Sequence, residues 1–384
     1  MRMNIGVIFG GKSTEHEISI ISACNIMAYI NENKYKVVPI YIDKNNNWYT
    51  GEHLKNILNY RDIALVKRYA KKVELTKKGN AFVLETKGIL KRAICALDVI
   101  LPLGHGKYME DGSIQGYLDM IGIPYVGSSV LGSALGQDKV IGKDILKQNN
   151  IPVCNYVWFY DYEFEKNKKE VLKKVSKLSY PLFIKPASLG SSIGITKANN
   201  EKELISGIKE AIKFDRKILI EEGIENLKEV NISVMGNYEK QTVSDIEEIN
   251  AVGDFYSFKE KYVEGYNKGK IKKKVEKLVS KEMIEDLKKY ALDTFKVINA
   301  SGVARIDFLI NYEKRIIYVN EINTIPGDLA LYLWMNKKIN PEELIENLIN
   351  IAIEENKKRK SILNAINGNL LENYDTLKGE KIKK

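Results

Sequence analysis

Four polar residues written into two apolar runs carry the most chemistry in this chain. Arg305 and Asp307 lie in the run Val303 to Ile310, and Glu321 and Asn323 close the run Ile316 to Asn323. Each pair is two residues apart, so on a strand each pair shares one face. The polar stretch Asn311-Tyr-Glu-Lys314 between the runs predicts a β-hairpin with one buried face. Two carboxylates and an amide oxygen converging there make a hard oxygen site suited to Mg²⁺. That ion takes one or two carboxylates and completes its shell with phosphate and water. Arg305 beside them offers a planar donor fork to a phosphoryl group. Solvent exposure would explain any one of the four residues, but not all four ahead of the stiff turn Pro326-Gly327.

A second group of residues suits a nucleotide. Lys185 ends the apolar run Tyr180 to Pro186, and a small-residue loop follows it: Ser188-Leu-Gly190-Ser191-Ser192-Ile-Gly194. Small residues let backbone N–H groups approach phosphate oxygens, hydroxyls add donors, and the lysine adds a point charge. Lys217 to Glu222 reads as a strand entering a turn at Gly223, with Lys228-Glu229-Val-Asn-Ile-Ser-Val as the strand after it. Backbone at such a crossing can read adenine, and a carboxylate such as Glu221 or Glu229 can bridge ribose hydroxyls. Read alone, both are solvated strand-end charges. From Asp254 to Lys274 the chain is polar and without periodicity, which suits either a lid over the site or a surface loop.

The N-terminal third offers a small-molecule site. Asn4 to Phe9, a helix beginning near Ser13 or Thr14, and Val37 to Ile42 form a βαβ start that implies a parallel sheet. Glu15 and His16 fall on its first strand-to-helix turn, where open α/β sheets bind ligands. Glu15 there could hold an ammonium group or simply complement the helix dipole. Asp98 to Gly106 is again a strand entering a glycine loop, and it places His105 at a strand end of the same sheet. Gly6 to Ser13 also satisfies the phosphate-binding P-loop pattern letter for letter. Val7, Ile8 and Phe9 occupy its variable positions as strand core, however, so the reading favours a strand with a Gly10-Gly11 turn. A P-loop nucleotide switch using Lys12 stays as the rival from another class.

These elements predict four segments. An N-terminal α/β substrate domain spans 1–127, a central lobe 128–216, and a C-terminal lobe with the metal site and lid 217–355; a basic, partly disordered tail covers 356–384. With 384 residues, 29% charged and 44% hydrophobic, the chain is globular with ample core. Its net charge is +10, but the lysines are interleaved with glutamate and lack clustered aromatics, so the reading favours anionic ligands over nucleic acid. Three cysteines, Cys24, Cys95 and Cys154, have no metal or redox spacing. Neither a signal-peptide core nor a long uncharged apolar run is present, which predicts a cytoplasmic protein without membrane partners.

Assembled, the chain resembles the D-alanine–D-alanine ligases of the ATP-grasp superfamily. The resemblance rests on Gly10 to Ser19, His105-Gly106 with Glu110 to Gly116, Lys185 to Ser192, Phe255 to Tyr262, and Arg305 to Gly327. It implies an ATP-grasp fold: an N-terminal open parallel α/β domain, then two α+β lobes that sandwich ATP. It further implies that Lys139, Lys185, Glu221, Glu222 and Glu229 bind ATP, with Ser188, Ser191 and Ser192 closing over its phosphates. Asp307, Glu321 and Asn323 would hold two Mg²⁺ ions, with Mn²⁺ as a substitute. Arg305 and the Gly327 N–H would stabilise the phosphoryl group and the tetrahedral intermediate. Glu15 would bind the first amino acid's ammonium with His105 close by, and Glu15, Ser191 and Tyr262 would form a triad tying lid to site. Lys261 and backbone near Leu333 would hold the second amino acid.

The implied reaction joins two D-alanines through an acyl phosphate, for peptidoglycan, in a homodimer. A departure concerns the segment after Gly327, where the family has a Ser/Thr-rich stretch whose later serine binds the second carboxylate. Here it reads Asp328-Leu-Ala-Leu-Tyr332-Leu-Trp334, without a serine. Met109 also replaces a glycine, and Gly104 an apolar residue. Another acceptor, such as D-serine, is therefore an open alternative, as is a protein that keeps nucleotide binding without ligation.

Overall fold

The computed structural model describes residues 2–249 and 279–362. In chain order the strands and helices of the first part are β1 (Met3–Gly10), α1 (His16–Met27), β2 (Tyr35–Ile42), β3 (Trp48–Thr50), α2 (Ile63–Tyr69), β4 (Lys71–Lys78), β5 (Ala81–Thr86), β6 (Ala93–Leu97), β7 (Val99–Pro102) and α3 (Ser113–Ile121). The sheet order is β6-β5-β4-β3-β2-β1-β7. Only β2, β1 and β7 run parallel. The expected open parallel domain is thus corrected to a mixed sheet, because β3 to β6 continue it as an antiparallel meander. The cause is local: the two-residue Gly79-Asn80 link between β4 and β5 is hairpin chemistry, and Gly79 adopts φ +57° there.

The centre of the chain contributes α4 (Val130–Gln137), α5 (Lys139–Gln148), β8 (Tyr156–Tyr160), α6 (Asp161–Lys166), α7 (Lys168–Val175), β9 (Leu182–Pro186), β10 (Thr196–Ala198), α8 (Glu201–Ala211) and β11 (Lys217–Glu222). These strands form a sheet ordered β10-β9-β11-β8. β11 pairs with both β8 and β9, so the expected boundary at 216/217 is moved beyond Glu222. The third sheet follows, with β12 (Leu227–Gly236), β13 (Gln241–Ile249), α9 (Lys281–Val297), β14 (Gly302–Asn311) and β15 (Ile316–Asn323), ordered β13-β12-β14-β15. Its alternation is clean. Ala304, Ile306, Phe308 and Ile310 bury one face against Leu287, Ala291 and Phe295 of α9, which leaves Arg305 and Asp307 on the other.

The last helix, α10 (Pro341–Ser361), starts with Pro341 at its first turn under an Asn340 cap. The sequence reading places a basic tail from Asn356 onward. Asn356 instead extends the buried stripe of Leu344, Leu348 and Ala352 by one more turn, so the helix runs on to Ser361. α10 packs into one core with α1, β1, β7 and Leu331, Leu333 and Trp334, joining the chain's end to its beginning. No described helix is long and apolar enough to cross a membrane.

Candidate active site

β14 and β15 pair with Arg305 opposite Asn323 and Asp307 opposite Glu321, so all four side chains share the cleft-facing side. The bidentate pair is complete: Arg305 Nε donates to Asp307 Oδ1 at 2.6 Å and Nη2 to Oδ2 at 2.8 Å. Asn323 Nδ2 adds 3.3 Å to Oδ2. Burial opposes the Arg305 charge, but the Asp307 carboxylate outweighs it and holds the guanidinium protonated. A bulge between Asp307 and Phe308 leaves Asn320 beside the site, and its Oδ1 accepts from Lys185 Nζ at 3.2 Å.

Lys185 closes the central sheet's side of the cleft. Its Nζ lies 2.5 Å from Glu221 Oε2, and Lys143 Nζ on α5 lies 2.6 Å from Glu221 Oε1. Burial would raise the Glu221 carboxyl, yet the two ammonium groups outweigh it and hold its pKa at about 2. Lys139 reaches from the start of α5 to the Leu189 carbonyl at 2.6 Å and to Glu321 at 3.7 Å. Glu222 is tied to Asn155 Nδ2 and the Ser179 amide.

Glu15 caps α1 at the opposite wall and is buried. Its Oε1 accepts from the Ser191 hydroxyl, which bridges the small-residue loop to the N-terminal sheet. Its Oε2 is buried with no hydrogen-bond partner among the described residues, and so is Nε2 of His105. Burial, then the nearby Glu110 carboxylate, pushes the Glu15 carboxyl above its usual value. Burial alone would lower His105, but Glu110, 4.0 Å from its Nδ1, turns the balance upward. A Cβ on Gly106 would stand 2.8 Å from Glu15 Oε2, so only glycine leaves room for that oxygen. The two departures nearby explain each other. A Cβ on Gly104 would meet the buried Met109 side chain at 2.1 Å, so Met109 fills the space that Gly104 leaves.

One cavity is lined by Glu15, His105, Lys139, Ser191, Glu229, Arg305, Asp307, Glu321, Asn323 and Gly327. A second adjoins it, lined by Lys185, Ser192, Glu221, Glu222 and Glu229 together with Phe183, Leu189, Leu227 and Leu309. The first is polar and faces the hairpin; the second mixes apolar walls with charge, as a base and ribose require. Ser188 and Leu333 line neither. The Ser188 amide donates to Asp215 and its carbonyl accepts from Gln137, while the Leu333 side chain is core. Lys261, Tyr262 and the expected lid fall outside the described residues. The sequence reading missed Lys143, Asn320 and Asn231. A lysine on the inward stripe of α5, between Val140 and Leu146, was the available signal for the first.

The P-loop alternative fails on its amides. Gly6 to Gly10 belong to β1, the Gly10 N–H goes to Ser19 Oγ at 2.8 Å, and the Gly11 N–H goes to the Ile42 carbonyl at 2.8 Å. Neither is left for a phosphate, and Lys12 is exposed.

The segment after Gly327 is unusual. Asp328, Leu329 and Ala330 all take left-handed backbone, with φ of 47°, 52° and 53°. That conformation costs L-residues roughly 1–2 kcal/mol each. The turn is held by the Asp328 amide on Ser22 Oγ at 2.7 Å, the Leu329 amide on the Pro326 carbonyl at 2.8 Å, and burial of Leu329 and Ala330. No group of three or more His, Cys, Asp or Glu side chains able to hold a metal is found among the described residues. Asp307 and Glu321, opposite each other in register, are the hairpin's cleft-facing carboxylates.

Two anchored lysines, a serine-rich loop and a carboxylate hairpin around a shared cleft define an ATP-grasp ligase, a class that joins carbon to nitrogen at the expense of ATP. Residues 4–128 match the family model described as D-ala D-ala ligase N-terminus, and 145–350 the model described as D-ala D-ala ligase C-terminus. The chain belongs to the D-alanine–D-alanine ligase family. It is 39% identical over 371 residues to the D-alanine–D-alanine ligase of Thermosipho melanesiensis, covering 96% of this chain and 98% of that protein. The solved D-alanine–D-alanine ligase of Coxiella burnetii superposes with TM-score 0.79 at 28% identity, over 94% and 96% of the two chains. The VanG D-Ala:D-Ser ligase of Enterococcus faecalis does so with TM-score 0.76 at 30% identity, over 92% and 100%.

Proposed function

We propose that this protein is an ATP-dependent ligase that joins two D-alanines into D-alanyl-D-alanine for peptidoglycan, working in the cytoplasm as a homodimer. One observation carries the reading. Glu15, whose buried Oε2 has no hydrogen-bond partner among the described residues, lines the same cavity as Arg305, Asp307 and Glu321, so an amino acid's ammonium and a phosphoryl group would meet there.

A carboxylate is inert toward amines until its oxygen is made a leaving group. Phosphoryl transfer from ATP achieves this through positioning and charge neutralisation rather than a protein nucleophile. Glu15 holds the first D-alanine by its ammonium, with His105 beside it. Ser191 holds the loop over the cleft by its bond to Glu15. Lys139 and Lys185 meet the ATP phosphates, while Glu221, Glu222 and Glu229 flank the pocket for base and ribose. Arg305 and the Gly327 N–H steady the phosphoryl group and then the oxyanion, as a second amino group attacks the acyl phosphate. Lys261 and Tyr262, outside the described residues, take their roles toward the second amino acid and the Glu15–Ser191 pair from the family resemblance alone. The donor set fits Mg²⁺, since Asp307, Glu321 and Asn323 are hard oxygen ligands on one face and ATP supplies more. When bound, two such ions neutralise phosphate charge.

The test is ADP release across a panel of D- and L-amino acids. D-alanine alone should sustain it, and release that ignores D-amino acids would overturn the reading. A second reading, an acceptor such as D-serine, is favoured by the left-handed Asp328–Ala330 turn in the rewritten segment. Faster ADP release with a D-alanine and D-serine mixture, yielding the mixed dipeptide, would select it.

A further inference from the structure

Asn231 and Ser233 stand two apart on β12 and share its cleft-side face. In register they lie opposite Asp307 and Arg305 on β14. Two aromatic residues from the segment after the left-handed turn reach these positions. Trp334 Nε1 donates to Ser233 Oγ at 3.2 Å, and the Tyr332 hydroxyl lies 3.2 Å from the Asn231 side chain. The Asn231 amide is buried, and its neighbours decide its orientation. With Nδ2 toward β14 it donates to Asp307 Oδ1 at 3.0 Å and to the Val230 carbonyl at 3.3 Å. Its Oδ1 then accepts from the Tyr332 hydroxyl at 3.2 Å. A continuous chain of donors results: Tyr332 O–H to Asn231, Asn231 N–H to Asp307, with Arg305 gripping the other edge of the same carboxylate.

We propose that Tyr332 and Asn231 form a positioning relay that fixes the Asp307 carboxylate and, through it, the Arg305 guanidinium. An amide has one acceptor end and one donor end, and only the donor end suits a carboxylate. The Tyr332 hydroxyl, by donating, makes the oxygen end face away from Asp307. Without it the amide oxygen is left without its donor, and only Asp307 and the Val230 carbonyl hold the amide in that orientation. Outer partners of this kind orient the groups that touch substrate, and their loss commonly costs ten- to a hundredfold in activity. The relay also ties the site to the segment's far end, where the Asp328 amide is held by Ser22 of α1. That helix starts at Glu15, so the turn links the amino-acid wall to the phosphoryl wall. The relay's kinetic consequence rests on the ligase reading; its structural consequence does not.

The test therefore starts with the ligand-free full chain. The Arg305 Nε–H resonance is assigned by its disappearance in Arg305→Lys, and its exchange with water is measured in wild type, Tyr332→Phe, Asn231→Ala and the double variant. Exchange should quicken at least about fivefold in Tyr332→Phe, while other arginine Nε–H groups stay unchanged. The double variant should resemble Asn231→Ala alone, because two members of one chain do not add. In the ligase assay Tyr332→Phe should lose roughly tenfold in kcat with the KM for ATP unchanged. Unchanged Arg305 exchange in Tyr332→Phe, or independent additive effects of the two substitutions, would overturn the relay. If Tyr332→Phe fails to fold, Asn231→Ser, which shortens the bridge and keeps a hydroxyl, gives the same readout. Wild-type chain without D-alanine-dependent ADP release would refute the ligase reading and leave the exchange result to decide the relay.

Discussion

Replacing Glu15 by glutamine separates binding of the first amino acid from everything else in the cleft. Glutamine keeps the length and shape of the side chain, and its Oε1 can still accept from the Ser191 hydroxyl. What changes is the other end. Glu15 Oε2 is buried, without a hydrogen-bond partner among the described residues, and close to the Glu110 carboxylate. Both burial and Glu110 make its negative charge costly in the empty site, so an incoming ammonium relieves that cost as well as making a charge-assisted bond. Losing a hydrogen bond to a charged group costs about 1.5–3 kcal/mol, or roughly ten- to a hundredfold in a binding constant. The upper half of that range applies here, because the amide of glutamine would also point a donor at the ammonium. The assay is initial-rate ADP release with separate constants for the two amino-acid subsites, with thermal unfolding as a check on the fold. The first-site constant should rise by roughly thirty- to a hundredfold while the second stays within about threefold. A first-site constant within about twofold of wild type, in a stably folded variant, would show that the ammonium binds elsewhere.

Other perturbations address the rest of the cleft. Lys185→Ala removes one of the two cations on Glu221 and should weaken ATP binding at least about tenfold by calorimetry; Lys12→Ala, exposed on its turn, should leave it within a few-fold. Glu321→Gln keeps shape but removes charge, so turnover at saturating Mg²⁺ should fall at least about a hundredfold; near-normal turnover would show that the hairpin does not hold the metal. Glu221 is depressed from 4.5 to about 2, so its ion pairs contribute stability that is present above about pH 4.5 and lost as the pH falls toward 2. Glu221→Gln should thus be less stable than wild type near neutrality in urea unfolding, with the gap narrowing across that window.

The hairpin was legible because both of its signals are local: period-two alternation on each strand and a short polar turn that fixes which residues oppose. Arg305, Asp307, Glu321 and Asn323 accordingly meet on one face. Glu15 and His105 come together for a related reason, since β1 and β7 are parallel neighbours whose C-terminal ends share an edge. Asn320 was not legible, because it enters the site through a bulge that no alternation rule forecasts. The pairing of β11 was also hidden. Lys217 to Glu222 reads as a strand in either lobe, and only contacts with residues as distant as Tyr156 assign it to the central sheet. The β4–β5 hairpin, by contrast, is signalled by Gly79-Asn80. For α10, the charge-rich composition after Glu355 concealed an inward Asn356 that continues the helical stripe.

The second-substrate side is where counting along the chain fails most instructively. By position, Tyr332 stands closest to the serine missing after Gly327. Three consecutive left-handed residues intervene, and they turn the chain in the opposite sense to an ordinary helix, so equal spacing in sequence no longer means equal placement. The Tyr332 hydroxyl is delivered to Asn231 on β12, and the amides of Asp328 and Leu329 are already engaged by Ser22 and Pro326. Of the segment's residues, only Gly327 lines the polar cavity. A tyrosine that served the acceptor directly would show its loss in the second-site constant. A tyrosine that serves Asp307 would show it in kcat, because a misplaced carboxylate harms the transition state more than the bound acceptor. Tyr332→Phe should therefore lower kcat and leave the second-site constant within about twofold. A raised second-site constant with kcat intact would return the hydroxyl to the acceptor.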